Sequence, residues 1–217
     1  GGDRAADYLA EQFKSYGLET QFQEVPLVGV TTLPSSSMTL AGRRLKSGEE
    51  VVVNNQSQQE RVNIDAPIVF VGFGIKTPDW DDYKNLDLKG KVALVFVSEP
   101  ASQDPGFFKG RALTYPGRWT YKFEETARRG AVATLIIHRT DLAAYGWDVV
   151  RNSWNSEKSY LKREGEPALQ AAAWIHHDVA RWLVEKDGLS LDQLYKDAQK
   201  PDFRPRALNS RLQVRLD

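Results

Sequence analysis

At 217 residues the chain is long enough to bury a substantial core, and it fits one large domain or one domain with appendages. Its 29 basic and 29 acidic residues balance, so charge gives no support for binding nucleic acid or an anionic membrane. No run approaches the roughly 20 apolar residues of a transmembrane helix, so we expect no membrane span. The sequence contains no cysteine, which excludes disulfides, thiol catalysis and thiolate metal sites in this chain.

The first predicted element is an amphipathic helix at residues 3–16. Asp3 is its predicted N-cap, Gly17 its predicted end, and apolar residues recur at helical spacing: Ala6, Leu9, Ala10 and Phe13. Residues 18–25 are predicted to form a strand that Pro26 terminates. The helix has no obvious packing partner nearby in the sequence, so we expect its partner to be a later strand or a domain outside this chain.

The next elements are shorter and more polar. Residues 39–53 predict a hairpin with its turn at Ala41-Gly42, and residues 54–60 predict a solvated loop. Residues 76–86 (KTPDWDDYKNL) predict a turn with solvated carboxylates, because their spacing lacks the remaining ligands of a calcium loop.

Three apolar runs, at residues 66–72, 91–97 and 131–137, predict buried strands. A helical pattern at residues 119–129 stops at Gly130 and leads directly into the third run. Strand, helix and strand with a tight glycine turn indicate a βα unit packed on a covered sheet. The predicted fold class is therefore α/β (α+β), with a strand-rich core, flanking helices and an N-terminal amphipathic helix.

Two long stretches, residues 98–117 and 139–167, are predicted to be irregular loops. Beyond them, residues 168–175 predict a strand and residues 179–186 a short helix closed by Gly188. Ser190 and Gln193 form a capping box for a further helix that ends before Pro201. The last residues alternate in polarity and predict a final strand, with its apolar positions at Leu212, Val214 and Leu216.

The histidines are the first candidates for catalysis or metal binding, and the chain has three of them. His138 follows a predicted buried strand, a frequent position for active-site residues in open α/β sheets. His176 and Asp178 form a His-x-Asp pair where a helix begins. For both places we favour a structural role, with Asp178 as a helix N-cap or first-turn acid. Two acidic pairs, Glu49-Glu50 and Glu124-Glu125, do not complete a zinc site by spacing.

The start of the helix at 119–129 offers a second candidate, a surface that binds a carboxylate. Arg118 and Lys122 would lie near the helix N-terminus, against the usual preference for acids there, beside Tyr115 and Tyr121. The alternative is an ordinary solvated first turn. No nucleophile elbow, phosphate-binding loop or dinucleotide fingerprint is present in the sequence.

Several segments together resemble the protease-associated domain. They are 66–75 (APIVFVGFGI), 80–83 (WDDY), 88–95 (LKGKVALV), 118–124 (RWTYKFE) and 131–138. More narrowly, they are similar to the version inserted in zinc-dependent metallopeptidases of family twenty-eight, the aminopeptidase and glutamate-carboxypeptidase-like group. Residues 4–18 (RAADYLAEQFKSYGL) resemble the first helix of the catalytic domain of those peptidases.

The resemblance implies a division of the chain into three parts. Residues 1–25 would be the helix and strand of an otherwise absent peptidase domain, residues 26–205 the protease-associated domain, and residues 206–217 a strand leading back toward the peptidase domain. The family's zinc ligands follow the inserted domain, and the pair at 176–178 lacks the downstream Glu-Glu and His. The resemblance thus implies no catalytic residue, metal or cofactor in this chain, and zinc in the parent enzyme.

The same resemblance implies a role for the domain in roofing the active site. The candidates for facing the substrate are Tyr115, Arg118, Trp119, Tyr121, Lys122, Arg151 and Asn152. The expected partners are the peptidase domain of the same parent chain and a peptide substrate, and the expected location is periplasmic or secreted. Two alternatives remain open: a stand-alone peptide- or protein-binding module, and a small hydrolase that uses His138 or His176 with Asp178.

Overall fold

The computed structural model describes residues 2–154 and 156–217 as a mixed α/β fold built around one eight-stranded sheet. The strands within these residues are β1 (Leu27–Val30), β2 (Ser37–Leu40), β3 (Arg43–Arg44), β4 (Val51–Asn54), β5 (Val62–Phe70), β6 (Lys76–Thr77), β7 (Trp80–Asp81), β8 (Val92–Phe96), β9 (Ala133–Ile137), β10 (Lys158–Leu161), β11 (Ala171–Ile175) and β12 (Arg206–Leu216). The helices are α1 (Gly2–Ser15), α2 (Trp119–Arg128), α3 (Thr140–Ala143), α4 (Trp147–Trp154), α5 (His177–Lys186) and α6 (Leu191–Ala198). The predicted fold class is confirmed.

The main sheet has the strand order β3-β2-β12-β5-β8-β9-β11-β4. Strands β5, β8, β9 and β11 run parallel to one another, and the remaining pairs are antiparallel. The three predicted core strands are confirmed as β5, β8 and β9. Every residue of β8, β9 and β11 is buried, as expected for parallel strands covered on both faces.

Helices cover both faces of the parallel strands. On one face Leu183 of α5 and Leu194 of α6 join the core cluster that contains Leu94 and Leu135. On the other face Phe123 of α2 belongs to the cluster that contains Val95, Ile136 and Val150 of α4. The sheet is thus the middle layer, and the parallel strands end at an edge between the two helical layers.

The helix signals in the sequence are confirmed at α2, α5 and α6. Gly130 and Gly188 follow α2 and α5 with φ of +79° and +74°, a left-handed conformation that glycine adopts without steric cost. The Ser190 hydroxyl accepts a hydrogen bond from the backbone N–H of Gln193 at 3.3 Å, as the capping box requires.

The N-terminal region differs from the prediction in two ways. Helix α1 begins at Gly2, so Asp3 lies inside its first turn and is not the N-cap. Residues 18–25 form no strand, and the first strand begins only after Pro26. A β pattern in the sequence gives a strand only where a neighbouring strand can pair with it, and residues 18–25, exposed except at Thr20, lie outside the main sheet.

The predicted hairpin at 39–53 is only partly present. Strands β2 and β3 pair around Ala41 and Gly42, whose φ values of +49° and +81° confirm the turn. The rest of the segment leaves this edge, and β4 pairs with β11 at the opposite edge of the sheet. The polarity pattern of residues 39–53 does not indicate that β4 pairs at the opposite edge, because the strand with which β4 pairs is set by distant residues.

Two stretches that the sequence predicted to be irregular or solvated contain more regular or buried structure than predicted. The stretch 139–167 contains α3, α4 and β10. Asn54 and Asn55, predicted to begin a solvated loop, are buried. The Asn55 side chain accepts from the Ser57 N–H at 2.9 Å and donates to the Gln59 carbonyl at 2.6 Å, which satisfies the amide inside its own turn.

The predicted final strand is confirmed as β12 and is longer than expected. It lies inside the sheet, between β2 and β5. Across the described residues, the helices are all too short or too polar to pass through a bilayer.

Candidate functional site

The three histidines meet at the carboxyl edge of two neighbouring parallel strands. The β9–β11 register places Ile137 opposite Ile175, so His138 and His176, which directly follow these residues, lie side by side. The His138 N–H donates to the Ile175 carbonyl at 3.0 Å, and His177 is the first residue of α5. They border a cavity of about 380 Å³ together with Arg139, Asp141 and Asp178.

His138 is a buried, neutral imidazole in an aromatic environment. It is 2 % exposed, and its Nε2 lies 3.1 Å from the Tyr145 carbonyl oxygen. Because a carbonyl only accepts, this nitrogen carries the proton and Nδ1 does not. The rings of Trp147 and Trp174 pack on it at centroid distances of 5.6 and 6.0 Å. Burial lowers the pKa of His138, which keeps the ring uncharged.

His176 is the N-cap of α5. Its Nδ1 accepts the backbone N–H of Asp178 at 3.3 Å, which requires that nitrogen to be unprotonated. The Asp178 carboxylate oxygen is 3.5 Å from the same nitrogen and so receives no proton from it. Asp178 is a first-turn acid, one of the two structural roles predicted for it. This arrangement satisfies a helix end, and it is not the orientation of a His-Asp catalytic pair.

The acidic residues are held in other contacts. Glu50 pairs with Arg43 at 2.8 Å, and Glu125 pairs with both Arg128 at 2.9 Å and Arg129 at 2.7 Å. Within residues 2–154 and 156–217, no group of three or more His, Asp or Glu side chains is arranged to share a metal ion.

The predicted substrate-facing residues separate into buried and exposed sets. Tyr121 and Lys122 are buried, which excludes both from the surface of this chain. The Tyr121 hydroxyl accepts from the Lys76 N–H at 3.1 Å and donates to the Lys76 carbonyl at 2.9 Å, so it joins α2 to β6. The exposed set is Tyr115, Arg118, Trp119, Arg151 and Asn152.

Lys122 belongs to a buried polar cluster with Asp82 and Glu99. The three residues are 0 %, 1 % and 6 % exposed, and the Lys122 ammonium donates to the Pro116 carbonyl at 2.7 Å. Burial lowers the pKa of Lys122, while the charges of Asp82 and Glu99 act in the opposite direction. Burial also raises the pKa of Asp82. The prediction that the carboxylates of segment 76–86 are all solvated is therefore wrong for Asp82.

Each carboxylate of this cluster accepts hydrogen bonds from its own segment of the chain. Asp82 accepts from the Ile75 N–H at 3.0 Å and from the Trp80 indole N–H at 2.7 Å. Glu99 accepts from the Thr114 N–H at 2.9 Å and also from the Thr114 hydroxyl. Buried charges require such donors, and the Lys122 bond to the Pro116 carbonyl joins the stretch 98–117 to α2.

The exposed candidates are joined by an aromatic contact. The rings of Trp119 and Trp154 lie 5.9 Å apart, which brings the start of α2 next to the end of α4. Arg151 and Asn152 lie on α4, where the Arg151 Nε donates to the Asn152 side-chain oxygen at 3.4 Å. Arg118 is the N-cap residue of α2 and makes no side-chain capping bond. The ring contact thus brings the end of α2 that carries Arg118 and Trp119 next to the end of α4 that carries Arg151 and Asn152, while the Tyr115 hydroxyl donates to the Glu124 carboxylate.

Sequence reasoning missed a cavity of about 660 Å³ in the described part of the chain. It lies between β2–β3 and β4, which stand at opposite ends of the strand order. The one local signal was the polar sequence Thr31-Thr-Leu-Pro-Ser-Ser-Ser37, which covers one side of it.

Comparison with solved structures gave a partial likeness to peptidases, two of them aminopeptidases. No protein-family profile matches the sequence, and no curated protein matches it. The aminopeptidase from Aneurinibacillus sp. strain AM-1 shares 18 % identity at a TM-score of 0.43, over 98 % of this chain and 38 % of that one. BSAP, a zinc aminopeptidase from Bacillus subtilis, shares 12 % identity at 0.41, over 99 % and 37 %.

A third solved structure, a Peptidase M28 precursor from Shewanella amazonensis SB2B, shares 16 % identity at a TM-score of 0.40, over 99 % of this chain and 41 % of that one. This chain therefore spans about two fifths of the length of these proteins. Identities and scores at this level do not assign a function to it.

Proposed function

We propose that this chain is a non-catalytic, protease-associated-type module of a zinc-dependent exopeptidase, and that it packs on the peptidase domain of the same parent protein. The observation that carries the proposal is the apolar surface of α1 and the segment after it. Seven large apolar side chains there are 46 to 71 % exposed: Tyr8, Leu9, Phe13, Tyr16, Leu18, Phe22 and Val25. Ala10 is the one buried residue of α1.

Such a helix needs a partner for energetic reasons. A 14-residue helix is marginal by itself in water, and most helices in proteins are stabilised by packing of their apolar face. Burying each of these side chains in an interface contributes about 1.5–3 kcal/mol. The resemblance of residues 4–18 to the first helix of a peptidase catalytic domain supports that domain as the partner.

In this proposal the zinc ion belongs to the peptidase domain, and the module controls access or orientation of a peptide. The exposed residues Tyr115, Arg118 and Trp119, with Arg151 and Asn152, would meet a peptide terminus or side chain. The periplasmic or secreted location implied by the resemblance is part of the same proposal.

Hydrogen exchange tests the packing of α1. In the 217-residue chain, amides of α1 should exchange rapidly at every protein concentration, whereas those of α5 should be protected. In a parent protein that includes the peptidase domain, α1 should become protected, and Phe13→Gln should remove that protection while Glu11→Gln does not. Concentration-independent protection of α1 in the 217-residue chain would contradict the proposal.

The convergence of three histidines keeps a hydrolase as the second candidate function. Peptide or ester hydrolysis by the 217-residue chain, lost on His138→Ala, would favour it. A stand-alone binding module would instead bind peptide without turnover and lose binding on Arg118→Ala. The structural roles of His138 and His176 described above favour the first proposal over the hydrolase.

A further inference from the structure

The start of α4 is attached to the sheet edge through two histidine rings. The Trp147 ring packs against both His138 and His176, at centroid distances of 5.6 and 5.5 Å. The His138 ring also donates to the Tyr145 carbonyl at 3.1 Å, and the Trp147 indole N–H donates to the Gly48 carbonyl at 2.9 Å. The attachment of this segment therefore depends in part on the rings of His138 and His176.

The segment has few other buried contacts. Helix α3 has no buried residue, and Val150 is the one buried residue of α4. The end of α4 is fixed separately, because the Trp154 ring packs against Trp119 and Phe123 of α2 at centroid distances of 5.9 and 5.8 Å. Regions with few buried apolar contacts open without unfolding of the whole protein, so α3 and the first turn of α4 can open by themselves.

Two of the three histidines accept a hydrogen bond that requires a neutral ring. The Arg181 guanidinium donates to His177 Nε2 at 3.0 Å, and because arginine only donates, this nitrogen is unprotonated. A second proton on His177 would remove the bond and place an imidazolium against a guanidinium. A second proton on His176, at Nδ1, would remove the cap bond from the Asp178 N–H at 3.3 Å.

His138 is held neutral by burial. The ring is 2 % exposed and packs against Trp147 and Trp174, where an imidazolium would lose its hydration. A charged His138 ring regains water only by leaving this place, which separates it from Trp147. Protonation of His138 therefore favours an open state of the segment.

Charged groups from several elements face the three rings. They are Arg139, Asp141, Asp148, Asp178, Arg181 and Asp192. Asp141 is paired with Arg139 at 2.6 Å, and Glu50, whose carbonyl accepts from the His176 N–H, is paired with Arg43 at 2.8 Å. Burial also raises the pKa of the Tyr145 phenol, which stays neutral.

These groups act on the rings in opposite directions. Asp148 favours a charged His138, and Asp178 and Asp192 favour a charged His177. Burial is the larger effect for both rings, and Arg181 and Arg139 add to it at His177. The pKa values of His138 and His177 therefore lie below the ordinary value of 6.5 in the closed structure.

We propose that His138, His176 and His177 form an acid-sensitive latch. Neutral rings hold α3 and the first turn of α4 against the ends of β9 and β11, and protonated rings release them while the sheet stays folded. The release exposes the Trp147 ring, so the surface that this edge presents depends on pH. The latch does not depend on the proposed function.

Hydrogen exchange of the 217-residue chain at about pH 7.5 and about pH 5.5, corrected for intrinsic exchange rates, tests the proposal. Because the closed rings have lowered pKa values, closure is weakened as the pH falls below 6.5, by up to about tenfold per ring for each pH unit. Protection of residues 140–148 should therefore fall by about ten- to a hundredfold at the lower pH. Protection of β9 and α2 should not change.

The double variant His138→Gln with His177→Gln removes the titration, while glutamine can still donate to the Tyr145 carbonyl and accept from Arg181. It should keep residues 140–148 equally protected at both pH values. Asp82→Asn is the matched control, because Asp82 has a pKa of about 6 in a different cluster, and it should leave the acid-dependent loss unchanged.

NMR titration of the wild-type imidazole signals gives a readout that does not depend on any substitution. His138 and His177 should bind protons over the same pH range in which residues 140–148 lose protection. Equal protection at both pH values overturns the proposal, as do rings that stay neutral while the segment opens. Simultaneous loss of protection in β9 and α2, or an unchanged loss in the double variant, also overturns it.

Discussion

Replacing Lys122 by Met distinguishes a structural lysine from a substrate-binding one. The substitution keeps most of the volume and removes the ammonium that donates to the Pro116 carbonyl. Asp82 and Glu99 then lie buried without the nearby positive charge. Removing one partner of a buried charge cluster costs about 3–5 kcal/mol. Because both carboxylates keep hydrogen bonds, we expect the lower end, about 3 kcal/mol, for Lys122→Met.

The assay is thermal and urea unfolding followed by circular dichroism. For a chain of this length 1 kcal/mol shifts the melting temperature by about 2–4 °C, so Lys122→Met should lower it by about 6–12 °C. Arg118→Met is the matched control, because Arg118 is an exposed cation one turn away, and it should change stability by less than about 0.5 kcal/mol.

The pH dependence gives a second readout of the same cluster. Since the pKa of Lys122 in the folded state lies below the ordinary value of 10.5, the folded state binds fewer protons than the unfolded state between those two values. Stability should therefore rise with pH through that window in the wild type, and this rise should be smaller in Lys122→Met. Asp82 contributes to the pH dependence at lower pH. Because the pKa of its carboxyl is raised in the folded state, the free energy of unfolding should fall as the pH increases above 3.8, the ordinary pKa of this group.

An unchanged melting temperature for Lys122→Met, with peptide binding lost, would contradict the structural role and return Lys122 to the substrate-facing set. An equal loss of stability in Arg118→Met would also contradict it, because the loss would then depend on charge at this end of the helix and not on burial.

Three further substitutions test the local structure by urea unfolding. In Gly117→Ala the new Cβ would lie 2.4 Å from Leu113 Cδ1 and 2.7 Å from Glu99 Oε2, so overpacking should destabilise by about 1–3 kcal/mol; wild-type stability would contradict the Glu99 placement. Ser190→Ala removes the N-cap of α6 and should cost about 1 kcal/mol, with Ser190→Asn as the control that restores it. Gly130→Ala forces alanine to φ of +79° and should cost about 1 kcal/mol; a stabilised protein would contradict that backbone conformation.

Local chemistry made the core elements predictable from sequence. The β-branched runs that became β5, β8 and β9, and the glycine that closes α2, carry their signals within a few residues. The segment 18–25 has a strand pattern and no strand, because pairing depends on a neighbour that the segment itself does not specify. The path of β4 to the far edge of the sheet depends in the same way on β11.

The candidate site was predictable in part. Arg118 and Trp119 are exposed at the start of α2, whereas Lys122, one turn later, is buried in a cluster with Asp82 and Glu99 from two distant segments. The proximity of His138 and His176 follows from the β9–β11 register, which two separate strand predictions did not contain. Patterns within one segment do not show which strands will pair, so they could not predict which residues of different strands lie together.

Aminopeptidase activity of the purified 217-residue chain, measured together with its zinc content, tests whether this chain is a module without a catalytic centre of its own. We expect no turnover of aminoacyl substrates above the uncatalysed rate, with or without added zinc, and no stoichiometric zinc. Stoichiometric zinc with turnover that a chelator abolishes would contradict it, and loss of that turnover in His176→Ala would place the activity at the histidine edge of β9 and β11.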